Sequence, residues 1–199
     1  MRRLSTALAA LLLAGAGLVS VTGAMASESA SEPAGGGATD ASDCRVGWGS
    51  RPRSHPDSEY HPLTDIRTGR HRCFDRMVFD VHTSHGHPIG YHVGYVDKLY
   101  QDGSGDVVTV AGGALLEIRV AAPSHDPETG GPRYPGRAGQ PLPGVDLTGY
   151  PAFREARFVG SFEGDTMVGL GLKGRLPFRV FQTGNHVVVD VAHSWHTFR

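Results

Sequence analysis

Histidine is where this 199-residue chain concentrates its chemical capacity: eleven are present, and His82, His85, His87 and His92 fall within the single stretch HTSHGHPIGYH. Imidazoles this close have the donor type and spacing to hold zinc or copper. His82 and His92 also bracket a turn containing Gly and Pro, where exposed polar side chains collect without a ligand, so no metal is assigned. Asp102, Ser104 and Asp106 in DGSGD begin a calcium-loop pattern that stops before its later glutamate, and a hairpin turn is the simpler reading. Catalytic groups are no better assembled. Ser161 sits in Gly-Ser-Phe-Glu-Gly, which lacks the Gly-x-Ser-x-Gly elbow. Glu163 and Asp165 share one turn, with no third group at a separation that would make a glycosidase pair. No catalytic residue is assigned, and no cofactor is implied.

The N-terminus sets the compartment. Arg2 and Arg3 precede an uncharged apolar run from Ala7 to Val21, and Ala24-Met25-Ala26 puts small residues at the two positions a signal peptidase reads. The expectation is a cleaved export signal over residues 1–26. The apolar run is shorter than the ~18 residues a spanning helix needs, and no later stretch approaches it, so no membrane span is expected. The paired arginines do not complete a twin-arginine signal. Residues 27–43, SESASEPAGGGATDASD, contain nothing aromatic or branched aliphatic to bury and read as a disordered linker. Residues 44–199 have the size of one domain with a sizeable core.

Cys44 and Cys73 are the two cysteines. An even count in an exported chain predicts a disulfide between them, closing a loop worth roughly 3–4 kcal/mol in the chain-entropy model. Cys73 as a nucleophile would need a free thiolate, and no local signature supports one. Charge excludes other classes. The whole chain has a formal net charge of −1, and loss of Arg2 and Arg3 makes it more acidic, so nothing steers it to nucleic acid or an anionic membrane.

The elements that must position these groups are strands. Met77, Phe79 and Val81 alternate with Val78 and Asp80; Ile89, Tyr91, Val93 and Tyr95 with Gly90, His92, Gly94 and Val96; Leu116, Ile118 and Val120 with Glu117 and Arg119. Further runs lie at Asp106–Val110, Arg157–Phe162, Met167–Leu172, Phe178–Phe181 and Val187–Ala192, with Gly-rich turns between several of them. The fold class is all-β: a single-domain β-sandwich of about eight short strands with one long Pro/Gly-rich loop, Ala122–Pro151. Prolines 123, 127, 132, 135, 141 and 143 deny that loop ladder hydrogen bonds. A tolerated surface insertion and a binding loop both fit it.

Two strands carry charge inside apolar runs, FDRMVFDV and NHVVVDVAH. With Met77, Phe79, Val81, Val187, Val189 and Val191 facing the core, Arg76, Val78, Asp80, His186, Val188 and Asp190 fall on the outward side. If the two strands are antiparallel neighbours in register, Arg76 opposes Asp190 and His186 opposes Asp80, each pair worth roughly 0.2–1 kcal/mol.

Phe74 to Asp80, the strand Gly90-Tyr91 to Tyr95-Val96, Asp102-Gly103-Ser104-Gly105, Gly160-Ser161-Phe162-Glu163-Gly164, Leu176 to Val180 and Val188 to His193 together resemble the exported bacterial proteins described as AMIN-like. The resemblance spans nearly all of Cys44 to Trp195. The first and last of these strands are also similar to those of the AMIN domain, apolar runs ending in Asp. The resemblance implies a small β-sandwich serving as a cell-envelope module, since AMIN domains bind peptidoglycan and target envelope amidases or secretins. The expected function is therefore a secreted, non-catalytic module that binds the cell envelope, with peptidoglycan as ligand. An exported hydrolase of envelope polymers and a module regulating another exported protein are the alternatives. If cell-wall glycan is the partner, Trp48, Tyr91, Tyr95 and Trp195 are candidates for stacking, and Arg157, Arg175 and Arg179 for meeting peptide-stem carboxylates. Burial in the sheet core is the competing role for the two tyrosines.

Overall fold

The computed structural model describes residues 44, 46–56, 61–83 and 87–195; the export signal expected at 1–26 and the linker expected at 27–43 lie outside the described residues. The described residues form strands and no helix. In chain order the strands are β1 (Arg53–His55), β2 (Leu63–Arg70), β3 (Phe74–Val81), β4 (Tyr91–Val96), β5 (Leu99–Tyr100), β6 (Val107–Val108), β7 (Ala114–Val120), β8 (Phe153–Phe162), β9 (Asp165–Leu172), β10 (Phe178–Thr183) and β11 (His186–Ala192). Eleven strands replace the eight expected. The three additions, β1, β2 and β5, have weak periodicity. β1 is three exposed residues and β5 only two. In β2 a register shift between Leu63 and Asp65 puts its inward residues, Leu63 and Ile66, three places apart, which breaks the period of two.

The strands pair antiparallel in a four-stranded sheet, β10-β11-β3-β2, and a five-stranded sheet, β1-β4-β7-β9-β8, with β5 and β6 as a separate hairpin. Alternation assigns the faces as expected. Met77, Phe79, Val187, Val189 and Val191 from one sheet and Val93, Leu116, Ile118, Val120, Val168 and Leu170 from the other meet in one core cluster, each at most 1 % exposed. Tyr91 and Tyr95 pack against this core, the competing role given to them above. Tyr95 also bridges to the chain after β9: its hydroxyl donates to Leu176 O at 2.7 Å and accepts from Leu176 N at 2.8 Å. Burial pushes that hydroxyl up to about 12.

Asp75 clasps the two sheets. It is fully buried and accepts from Ala152 N at 2.7 Å, Phe153 N at 3.2 Å and His193 Nε2 at 2.9 Å. The two amides belong to the point where the long loop rejoins β8, so one carboxylate ties β3 to the opposite sheet and to the chain beyond β11.

The hairpin β5–β6 lies over the outer face of the five-stranded sheet, where Leu99 and Val108 pack with Val159 and Met167. Its turn is the DGSGD stretch, with Gly103 and Gly105 at φ 84° and 76° and Asp106 N donating to Ser104 Oγ at 3.2 Å. The connection from β6 to β7 approaches β9 at Gly169 and Gly171. A Cβ on Gly169 would strike Leu99, and one on Gly171 would strike the Ala111 carbonyl.

The long loop contains no strand, as its prolines require, yet it is packed in place. Tyr134 and Leu142 enter the core, and residues 139–141 run along the free edge of β8, with Gly139 N donating to Phe158 O at 2.8 Å and Phe158 N to Gln140 O at 3.0 Å. A covered edge cannot template pairing with another chain. Within the loop, Asp126 accepts from Glu128 N and Thr129 N, both at 3.0 Å, and from Arg133 Nε at 3.0 Å. The Arg133 guanidinium, and after it those amides, hold the Asp126 carboxyl down to about 2. A folded-state value below the ordinary ~3.9 means the contribution is complete above pH ~4 and is lost as the pH falls through the folded value. Solvent screens this loop, so the effect is local. Hydrogen exchange at the Glu128 and Thr129 amides should accelerate between pH 4 and 2, after correction for intrinsic rates, while core amides of β3 and β11 keep their protection. Unchanged protection at Thr129 at pH 2 would refute the assignment.

Candidate functional site: a guanidinium and aromatic platform

β3 and β11 are antiparallel neighbours in the register proposed from the sequence: Arg76 faces Asp190 and His186 faces Asp80. Next to them, β10 places Arg179 opposite Asp190 and Phe181 opposite Val188, while β2 places Arg67 opposite Val78. The outer face of the four-stranded sheet therefore presents Arg179, Asp190 and Arg76 in one row and Phe181, Val188, Val78 and Arg67 in the next.

This face is less solvated than its outward position suggests. Val78 and Val188, expected outside, are 4 % and 2 % exposed, and Asp190 is 0 % exposed. Long side chains neighbour all three: Arg67 stands opposite Val78 and Phe181 opposite Val188, while two guanidiniums close on Asp190. Arg76 donates to Asp190 through Nε at 2.6 Å and Nη2 at 2.9 Å, and Arg179 donates through Nε at 2.8 Å. The Asp190 hydrogen bond is the first cause holding Arg76 more firmly protonated than usual.

Aromatic rings fix both guanidiniums from the sides. Arg179 lies 4.5 Å from the Trp48 centroid, 5.0 Å from Phe181 and 5.7 Å from Phe74. Arg76 lies 5.2 Å from Phe74 and 5.6 Å from Phe181. Such contacts contribute about 0.5–1 kcal/mol each at partly exposed sites. Trp48 meets Phe74 edge-on at 5.6 Å, and His71 stacks on Phe74 at 4.4 Å. Trp48 reaches this position through two tethers. Cys44 and Cys73 form the expected disulfide, and Phe178 N donates to Gly49 O at 2.9 Å.

Two cations against one carboxylate leave the row with a surplus positive charge. The Nη1 group of each arginine has no partner among the described residues, and Arg76 and Arg179 are 27 % and 41 % exposed. The arrangement offers preorganised donors to an anionic oxygen beside an indole and two phenyl rings, suited to carboxylates on a ring-bearing polymer. Beyond it, Arg67 grips Asp80 at 2.8 and 3.0 Å, and His186 Nδ1 lies 2.7 Å from the same carboxylate.

Of the binding residues named from the sequence, the structure brings Trp48 and Arg179 into contact. Trp195 and Arg175 form a second pair, the indole N–H donating to Arg175 O at 2.6 Å while the Arg175 guanidinium lies 4.7 Å from the Tyr95 ring. Arg157 stands apart on β8 of the other sheet, held to Glu155 at 2.6 Å and donating to Gly139 O at 2.7 Å. Sequence reasoning placed Arg76 and Asp190 on this face as a pair but missed Phe74, Phe181 and Arg67. Parity was the available signal, because Phe74-x-Arg76 and Arg179-x-Phe181 each put an aromatic and a guanidinium on one strand face.

The other chemical candidates are dispersed. Of the histidine stretch, His92 Nδ1 sits 2.7 Å from Ser54 Oγ, His87 packs edge-on against His61, and His85 lies outside the described residues. Among the described residues no three His, Cys, Asp or Glu side chains are grouped to hold a metal. Ser161 Oγ accepts from Ser124 N at 3.0 Å and Asp102 pairs with Arg119 at 2.5 Å, both structural engagements. No match is found among curated proteins or solved structures. The model of the AMIN-like domain matches residues 61–193, a span from just before β2 to just after β11 that takes in every strand except β1 and most of the platform. This covers more than half of the sequence, and the chain belongs to the AMIN-like domain family.

Proposed function

We propose that this chain is an exported, non-catalytic module that binds the cell envelope, with peptidoglycan as its ligand and the outer face of β10-β11-β3 as its binding surface. The observation that carries the reading is the pair Arg76 and Arg179, laid against Trp48, Phe74 and Phe181 by one fully buried carboxylate. Rings provide stacking surface for sugars, and the unpartnered Nη1 groups suit the carboxylates of stem peptides. Family membership and the disulfide, a bond of oxidising compartments, support an envelope location.

The test is co-sedimentation of the purified chain with insoluble sacculi. Wild type pellets with the sacculi and releases no soluble fragments. Arg179→Ala removes a half-exposed guanidinium on an edge strand, so the fold persists and retention falls at least ~10-fold, the scale of one charge-assisted hydrogen bond. Trp48→Ala weakens retention further. Soluble muropeptides in the supernatant would instead indicate a hydrolase, and equal retention of wild type and Arg179→Ala would remove the platform from the reading.

A further inference from the structure

A concavity lies at the ends of β1, β4, β7 and β9, in the five-stranded sheet. It offers about 210 Å3 and opens to solvent, between Pro56, Gly90, His92, Arg119, Ala121 and Asp165, with the stacked rings of His55 and Tyr91 along one side. That volume equals roughly seven water molecules at ~30 Å3 each, room for one small ring or a short chain. Its floor is low because Gly90 has no side chain and Ala121 a single methyl. The floor is also internally paired, Ala121 N donating to Gly90 O at 2.9 Å.

The walls differ in what they have left to offer. Arg119 is committed, donating through Nη1 to Asp102 at 2.5 Å and through Nε to Glu117 at 2.9 Å. His92 has its Nδ1 on Ser54. Asp165 accepts no hydrogen bond among the described residues, although it is partly buried. Burial is the first cause raising its pKa; Arg119 opposes that and Asp102 adds to it. An anion would find the only guanidinium already neutralised by two carboxylates. A neutral sugar could use the Tyr91 hydroxyl and the His55 and His92 rings, but would leave the Asp165 charge uncompensated. The missing complement is a group rich in donors and positively charged.

We propose that this pocket binds a primary ammonium group carried on a small ring or short chain, with Asp165 as its acceptor. An amino sugar and a basic amino-acid side chain share that chemistry. The inference stands independently of the platform on the other sheet.

The test uses backbone amide spectra of the full-length mature chain titrated with D-glucosamine and with Nα-acetyl-lysine amide. The neutral controls are D-glucose and Nα-acetyl-norleucine amide. At least one amine should produce saturable shifts at Gly90, Ala121 and Asp165, with neither neutral control doing so, and the responding amine identifies the source. The nearly isosteric Asp165→Asn should weaken that affinity at least ~10-fold, its own spectrum reporting the fold. Should it fail to fold, Asp165→Ser, which also lacks the carboxylate, serves under the same criterion. Arg179→Ala should leave the amine response intact, which separates this site from the platform. Equal responses to amine and neutral partner, an undiminished response in the Asp165 variant, or no saturable shift at these amides would each overturn the proposal.

Discussion

Asp75→Ala lowers the unfolding free energy by about 3–5 kcal/mol, the range for removing one partner of a buried charged network. The carboxylate is 0 % exposed and serves three donors at once. Its removal strands the Ala152 and Phe153 amides in a region where neither residue is more than 1 % exposed. Each lost backbone acceptor costs about 1–3 kcal/mol, and water cannot enter to replace it without opening the sandwich. Asp75→Asn keeps one acceptor oxygen in the same volume and should lose roughly half as much. Urea unfolding followed by tryptophan fluorescence measures both. An alanine variant within 1 kcal/mol of wild type would show that the clasp is dispensable.

Gly171→Ala should destabilise the domain by about 3 kcal/mol or more, through backbone displacement in place of a cavity. On β9, Val168, Leu170 and Leu172 face the core, so Met167, Gly169 and Gly171 face the opposite way, under the β5–β6 hairpin and the chain that follows it. A methyl at Gly171 points into the Ala111 carbonyl, and Val110 crowds it from the side at 3.1 Å. Neither neighbour is the far end of a flexible chain, so the connection from β6 to β7 must lift. Glu155 receives the Ala111 amide at 2.5 Å, and that bond is lost with it. Gly174→Ala is the matched control, because nothing lies within 4 Å of its added carbon. It should change stability by less than ~0.5 kcal/mol. Thermal unfolding of the two variants side by side decides the matter, and equal melting temperatures would contradict the packing described.

Period-two alternation was enough to place both sheets' interiors, because strands buried on one face must separate apolar from polar residues residue by residue. It left the pairing of β3 with β11 conditional, and the structure supplies the neighbourhood in which Arg76 meets Asp190 and His186 meets Asp80. β1, β2 and β5 escaped the alternation. β2 needs only Leu63 and Ile66 inside, and a bulge between them erases the signal. Val78 and Val188 show a second limit, for parity assigns a side but not its solvation, and the residues opposite them, Arg67 and Phe181, come from β2 and β10, far apart in sequence. The platform was half legible for the same reason. Trp48 and Arg179 were nameable as types suited to a glycan, but their contact depends on a disulfide between residues 29 positions apart and on a backbone bridge from Gly49 to the distant Phe178. Asp75 was invisible as a clasp, since its donors arise where the long loop rejoins β8.

The same covalent link carries a consequence in time. The segment bearing Trp48 is anchored by the bridge from Gly49 to Phe178 and by the bond from Cys44 to Cys73. A newly synthesised, still reduced chain keeps its arginine row, which rests on strands, yet holds its indole by the Gly49–Phe178 bridge and the ring's own contacts with Phe74 and Arg179, without the covalent anchor. Full anchoring of the segment bearing Trp48 therefore follows oxidation and not synthesis.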